Sequence, residues 1–534
     1  MRNIFRVKSM YVAFAMAIIT FSLLLFECSC EDTTVPDGNG TEPEDKAFSG
    51  LCYGPYRDNE DPDCGVHPTV DELKQDLKLI DKLTGAIRTY GVTDDLERIP
   101  FICQQYGIDC YPGAWIGKFE CENQRQISSL KRIAGQNLCR VRGLVVGNEV
   151  LLRKDLSEQE LLELINEVKS ATDLPVTTAE IWKWWLDHQK LAQAVDILFI
   201  HVYPYWDGIA IEEATSYVLE KWNAVKAAYP NKKIIIGETG WPSEGETRGS
   251  AVPSAENQKR YLEEFVTMAD SNKIEYFYFE IFDENWKSRL EGETGSHWGI
   301  YCSVGSLKPH LIDLIPDSAQ SGINREPRVV HPTEATLPLY VYKDGCDPLN
   351  GFLPSGWMGE LADYMDNDTT VWDPKDIIDE LSYDDPYSGN TCIRISYTPS
   401  IYEWGGIYWQ FPVNNWGVYP GYDLSNALAG IDTVTLSFWV RGQVGGEKAE
   451  FKTGGINNTT LDYSDSYGPI STGVITLTDQ WEKRTLVLTG EDLSMVIGGF
   501  CWVTYYYQNP GGSTIYLDEI IFEGMTVATS DVDK

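Results

Sequence analysis

Positive charge is what this 534-residue chain has least of: 43 Lys and Arg stand against 80 Asp and Glu, a formal net charge of −37. Nucleic acid and anionic membrane surfaces carry the same sign and would be repelled, so neither is an expected partner and an uncharged ligand fits better. Histidine is scarce too. The six His residues show no metal-ligand spacing, and no glycine-rich loop of the phosphate-cradling kind occurs, so neither a metal nor a cofactor is expected. Past the N-terminal apolar run, no stretch is long enough to span a bilayer. Apolar residues, by contrast, are ample: 43% hydrophobic and 12% aromatic exclude disorder for most of the chain. Its length implies roughly two to four domains.

The N-terminal residues 1–30 read as an export signal, with Arg2, Arg6 and Lys8 ahead of an apolar run from Tyr11 to Phe26. Cys28-Ser29-Cys30 follows, a pattern that suggests lipoprotein processing, with Cys30 acylated; Glu27 spoils the small apolar pattern and leaves Cys28 as the alternative. A plain secretory signal is the competing reading. Glu31-Asp32 resembles the acidic sorting patch of Bacteroidetes surface lipoproteins, which implies an outer-membrane, cell-surface protein touching lipid only through its anchor. Residues 31–47, acidic and rich in Pro and Gly, read as a solvated tether. An exported compartment permits disulfides, and Cys52/Cys64, Cys103/Cys110 and Cys121/Cys139 are plausible pairs by proximity, although Cys52 lies in a strand where a free core thiol is equally expected.

From Phe48 onward, apolar strand-like runs alternate with helical ones. The strand candidates are Phe48–Tyr56, Ala86–Tyr90, Asp109–Ile116, Val141–Glu149, Leu174–Ile181, Asp196–Tyr205, Lys233–Trp241 and Glu275–Glu284. Between them, Thr69/Glu72 and Ser157/Glu160 have capping-box spacing, each ahead of a one-sided apolar stripe. This rhythm over residues 48–310 predicts an α/β fold, a (β/α)8 TIM barrel. Residues 311–336 read as an irregular linker. Beyond it, residues 337–527 carry short runs rich in Val, Ile, Thr, Tyr and Trp separated by turn residues, which predicts an all-β sandwich.

Two of the barrel strands end in a carboxylate. Arg142-Gly143-Leu144-Val145-Val146-Gly147-Asn148 runs into Glu149, and Ile234-Ile235-Ile236-Gly237 runs into Glu238. In this fold both would look into one mouth, and paired carboxylates across a sugar bond are what glycoside hydrolysis requires. Asn148 would reach the sugar 2-OH. Trp182, Trp184, Trp185, Trp206 and Trp286 follow strands and are candidate glucose platforms, about half of them expected to contact glycan. Asp58-Asn59-Glu60-Asp61-Pro62-Asp63 is an acidic loop in which solvation is a better expectation than calcium.

The chain from Phe48 to about His310 resembles glycoside hydrolase family 17, the endo-β-1,3-glucanases and glucanosyltransferases. The resemblance rests on Cys52-Tyr53-Gly54, Arg88-Thr89-Tyr90, Val146-Gly147-Asn148-Glu149-Val150, Val202-Tyr203-Pro204-Tyr205, Gly237-Glu238-Thr239-Gly240-Trp241-Pro242-Ser243, and Phe282-Asp283-Glu284-Asn285-Trp286-Lys287 followed by Trp298-Gly299. It implies a retaining enzyme acting on β-1,3-glucan, laminarin-like or mixed-linkage, with Glu149 as general acid/base and Glu238 as nucleophile. It further implies substrate-binding or supporting roles for Tyr53, Tyr90, Tyr203, Trp241, Glu284 and Lys287. Glu293 matches another family glutamate by its spacing from Glu284 but stands further from Trp298 than the plant pattern has it. The C-terminal region resembles the jelly-roll carbohydrate-binding-like modules of polysaccharide hydrolases, with Tyr516-Leu517-Asp518-Glu519-Ile520 as a closing strand and Trp404, Trp409 and Trp416 as candidate sugar contacts. The competing functions are a glucanosyltransferase with the same site and a non-catalytic glycan-binding surface lipoprotein.

Overall fold

The computed structural model describes residues 46–362, 377–399 and 404–526. The expected signal, the acylated Cys30 and nearly all of the tether lie outside the described residues. No described helix is long and apolar enough to cross a membrane.

The first barrel strands are β1 (Leu51–Cys52), β2 (Ala86–Arg88), β3 (Asp109–Tyr111), β4 (Gly113–Ala114) and β5 (Leu144–Asn148). They continue as β6 (Val176–Ile181), β7 (Ile197–His201), β8 (Lys233–Thr239) and β9 (Tyr276–Tyr278). All pair in parallel in the order β3-β2-β1-β9-β8-β7-β6-β5-β4. The two ends of that order, β3 and β4, are halves of one expected strand, split at Pro112. With no N–H, Pro112 cannot donate to the ladder, yet its carbonyl accepts from Val145 N at 3.0 Å. Together with Arg142 N donating to Cys110 O at 3.0 Å, this brings the sheet round on itself into the expected barrel.

Helices cover the outside because their sequences give them one apolar face and a defined start. In α1 (Val70–Ile80) the Thr69/Glu72 capping box forms as read, and Leu73, Leu77 and Ile80 are buried against the strands. A second box, Ser157/Glu160, starts the helix Glu158–Ser170, which buries Leu161, Ile165 and Val168. Each fully buried Leu or Ile stabilises the packing by about 1.5–3 kcal/mol.

Residues 311–336, read as a linker, hold only short elements, Asp317–Gln320 and Thr333–Glu334 among them, and are not a free spacer. Arg325 is buried, donates to Pro55 O at 2.7 Å and pairs with Asp76 at 3.3 Å, while Arg328 pairs with Glu60 at 3.0 Å. The Asp58 to Asp63 loop is likewise neutralised by protein: Arg289 pairs with Asp61 at 2.6 Å and Asp63 at 3.3 Å.

Two antiparallel sheets follow. One joins Leu339–Tyr342, Ile378–Ser382, Cys392–Tyr397, Thr433–Gly442, Glu482–Val487 and Ser513–Met525; the other joins Leu353–Gly359, Trp404–Gln410, Lys448–Thr453, Ile470–Thr476 and Gly498–Tyr505. Phe438 of the first meets Phe451 and Phe500 of the second at 4.9 and 5.0 Å between ring centroids, so the sheets share one core. Trp409 is buried in that core, which removes it as a sugar contact; Trp404 and Trp416 remain partly exposed. The proximity-based cysteine pairs do not form. Cys121 is bonded to Cys346, 225 residues away, while Cys52, Cys64, Cys103 and Cys110 are buried free thiols.

Candidate active site

The chain arrives at Glu149 through a turn that its sequence makes possible. Gly147 has φ +86°, and a Cβ there would lie 2.4 Å from Val150 Cγ2; Glu149 itself is held at φ +54°, unfavourable for a residue with a side chain. The turn is pinned from two sides. Arg153 donates to the Asn148 and Ile116 carbonyls, and buried Glu180 on β6 accepts from Leu151 N at 2.9 Å. Burial pushes the Glu180 carboxyl up to about 8, and its second oxygen has no protein partner.

Glu238 ends the apolar part of β8 and is met by donors alone. Tyr90 and Tyr203 hydroxyls donate to its two oxygens at 2.8 Å each, Arg88 Nη1 lies 3.3 Å from Oε1, and His201 Nδ1 lies 3.4 Å from Oε2. No acceptor faces either oxygen in these contacts.

His201, at the end of β7, connects the two glutamates. Its Nδ1 is 2.7 Å from Glu149 Oε1 and its Nε2 is 2.8 Å from Arg88 Nη1. Because a guanidinium only donates, Nε2 is the accepting nitrogen and the proton sits on Nδ1, directed at Glu149. Burial raises the Glu149 carboxyl, but the His201 hydrogen bond and the charges of Arg153 and Arg88 outweigh it and hold the group below the ordinary glutamate value. Arg88 also donates to Asn148 Oδ1 at 2.7 Å, which leaves the Asn148 amide nitrogen as the group available to a ligand. One donor atom from each of Glu149, His201 and Glu238 lies within 4.8 Å of the others. Such a trio has the donor types to hold a metal ion. However, its imidazole already has both nitrogens occupied by protein and Glu238 is saturated with hydrogen-bond donors, an arrangement that fits two positioned carboxylates better.

These groups open into a cavity of about 1140 Å³. Tyr90, Asn148, Tyr203, Glu284 and Lys287 line it, together with Trp182, Trp206 and Trp286. Lys287 is buried between Glu280 at 2.6 Å and Glu284 at 2.8 Å, and no contact of either to Glu238 occurs in the structure's ion pairs; the expected support group is centred on Glu280. Gly54 is needed here because a Cβ would fall 2.2 Å from Glu284 Oε2.

Several expected site residues lie elsewhere. Tyr53 is fully buried, its hydroxyl donating to Asp76 at 3.0 Å beside Arg57, so it braces the barrel wall. Trp241 is also fully buried, packed on Tyr205 and Tyr261 with its Nε1 donating to Val252 O. Glu293 is exposed and outside the lining, where Glu291 stands instead. Trp185 is core and Trp184 is outside the lining. Sequence reasoning gave no role to His201, Arg88, Glu180 and Glu280. The available signal was a polar or charged residue inside an otherwise apolar strand run, which has to find a partner indoors. Trp115, 40% exposed at the cavity and covered on one face by Arg153 at 4.2 Å, was missed as well.

Residues 50–299 match the family described as the BtgE/BtgC glycoside hydrolase domain. The chain is 30% identical over 307 residues to a probable glucan endo-1,3-beta-glucosidase of Aspergillus fumigatus, an alignment covering 51% of this chain and 44% of the relative. It is 25% identical over 340 residues to a glucan endo-1,3-beta-glucosidase of Emericella nidulans, covering 54% and 51%. The chain thus spans about half the length of the relatives it matches. Among solved structures, a β-1,3-glucanosyltransferase from Rhizomucor miehei in complex with laminaritriose aligns at 29% identity and a TM-score of 0.45, over 49% of this chain and 96% of that one. An endo-laminarinase from Formosa aligns at 22% identity and a TM-score of 0.46, over 53% and 91%.

Proposed function

We propose that this protein is a retaining glycosidase that cleaves β-1,3-glucan, with Glu238 as nucleophile and Glu149 as general acid/base. The observation that carries this reading is the approach of one Glu149 oxygen and one Glu238 oxygen to within 4.8 Å across an open cavity. Retaining enzymes hold their carboxyl groups about 5–5.5 Å apart, whereas inverting ones leave about 6.5–9.5 Å for a water. The glucan relatives and the matched domain support the substrate class.

In the first step Glu238 attacks the anomeric carbon while Glu149 gives its proton to the departing glucosyl oxygen. The C–O bond breaks as a glucosyl–Glu238 ester forms. In the second step Glu149, now a carboxylate, takes a proton from water, which displaces Glu238 with a second inversion. Esterification removes the negative charge of Glu238, so the proton affinity of Glu149 falls just as its role changes from acid to base. In the free enzyme the His201 hydrogen bond biases Glu149 towards its carboxylate. An uncharged glucan filling the cleft displaces water and adds to the burial that raises the carboxyl, making the acid form accessible in the complex. Asn148, with its oxygen committed to Arg88, presents its amide nitrogen to the sugar 2-OH.

The test is a panel of laminarin, curdlan, lichenan and cellulose digested by wild type and Glu238→Gln. Reducing ends released from the β-1,3-linked substrates by wild type alone are expected; no cleavage of any β-1,3 substrate overturns the reading. Product chain lengths at high substrate separate hydrolysis from glucosyl transfer. The leader pattern supports a second element of the proposal, export as an outer-membrane lipoprotein acylated at Cys30. Mass spectrometry of the mature N-terminus reads this directly, and an unmodified Cys30 removes it.

A further inference from the structure

The cavity that holds Glu149 and Glu238 does not end at the barrel. Its far lining comes from the C-terminal sandwich: Asn350, Glu380, Phe411, Val413, Asn414 and Tyr422. We propose that this edge of the sandwich forms a distal glucan-binding wall of the catalytic cleft, holding glucosyl units of the same chain that is cut. The inference rests on the glycosidase reading above and extends it to a part of the chain outside the matched domain.

Three observations carry it. The first is size: at about 1140 Å³ the cavity exceeds the roughly 300–1,000 Å³ that accommodates one drug-sized ligand, which leaves room for several sugar rings in a row. The second is covalent attachment. Cys121, itself in the cavity lining, is bonded to Cys346 of the sandwich, and Asn414 Nδ2 reaches Asp63 O at 3.4 Å, so the wall is fixed to the barrel loops that it faces. The third is chemistry. Phe411 and Tyr422 stack on each other at 3.7 Å and supply an apolar surface beside the Asn414 amide, whereas the Asn350 amide is held within its loop by Lys343 N and Asp344 O; none of the sandwich residues in the lining is cationic. Aromatic faces beside uncharged hydrogen-bonding groups suit a neutral sugar. Glu380 does not disturb this match: burial first, and then the neighbouring Glu122, push its carboxyl up to about 8, so near neutral pH it can both donate to and accept from hydroxyl groups.

A distal wall is felt only by a chain long enough to reach it. The experiment measures kcat/KM on laminarin and on laminaritriose for the full-length wild type, Phe411→Ala, and Val413→Trp, with melting curves for each. Phe411→Ala removes an aromatic face and Val413→Trp fills the groove from a half-exposed position, which guards against a variant that merely unfolds the sandwich. The expected result is a fall of about 2- to 10-fold on laminarin with laminaritriose unchanged, the range set by one aromatic contact. Equal effects on both substrates, or none on laminarin, overturn the wall. Wild type that cuts neither substrate overturns instead the glycosidase reading on which the wall depends.

Discussion

Replacing His201 by Phe should move the alkaline limb of the pH–activity profile upward. His201 is 1% exposed and donates from Nδ1 to Glu149 Oε1 at 2.7 Å, so the substitution keeps the ring but removes the donor. A hydrogen bond to a charged group is worth about 1.5–3 kcal/mol, so its loss removes the main influence holding the Glu149 carboxyl down and leaves burial to raise it. The sign follows from the role. Glu149 must be protonated to assist departure of the leaving group, so activity is lost as pH rises through its pKa, and a higher pKa carries the loss to higher pH. The assay is kcat/KM on laminarin across the pH range, which reports groups of the free enzyme. The rate at the optimum should also fall, because Arg88 Nη1 loses its 2.8 Å acceptor and Glu238 its 3.4 Å neighbour. An alkaline limb that stays in place, or moves down, in a variant that melts like wild type would refute the reasoning.

Other outcomes follow from the same network. In wild type, the alkaline limb of kcat should lie above that of kcat/KM, because bound glucan adds to the burial that raises Glu149; coincident limbs would contradict this. Arg88→Lys keeps the charge but cannot reach Glu238, His201, Gly237 O and Asn148 from one ammonium, so kcat/KM should drop by about 10²–10⁴-fold, the loss of two charge-assisted hydrogen bonds. Lys287→Met strands Glu280 and Glu284 together in the interior, at a cost of about 3–5 kcal/mol that differential scanning calorimetry would record as a melting drop of roughly 6–20 °C. Tyr90→Phe should lower kcat with little change in melting, since only a donor to Glu238 is lost, whereas Trp241→Ala should lower melting through the cavity it leaves; the reverse pattern would exchange their roles.

The barrel could be read from the chain because its signals are local: apolar runs of strand length, capping boxes three residues apart, and carboxylates directly after Val146-Gly147-Asn148 and Ile236-Gly237. What escaped depends on distant partners. Arg88 lay in plain view beside Tyr90, but its role comes from strands that place Asn148, His201 and Glu238 around it. Tyr53 shares the motif of Gly54 yet points to Asp76 of α1 instead of to the cleft. Cys121 is joined across domains to Cys346, a pairing that proximity along the chain works against. In the sandwich, Leu353–Gly359 contains Pro354 and two glycines, and Ile378–Ser382 is acidic, so both look unlike strands and form through their ladder neighbours.

The carboxylate spacing is tested most directly by the anomeric configuration of the first-formed product, read by proton NMR within the opening minutes of β-1,3-glucan cleavage and before mutarotation. Two displacements at Glu238 return the β anomer. Initial release of the α anomer would mean a single displacement by water, and Glu238 would not be the nucleophile.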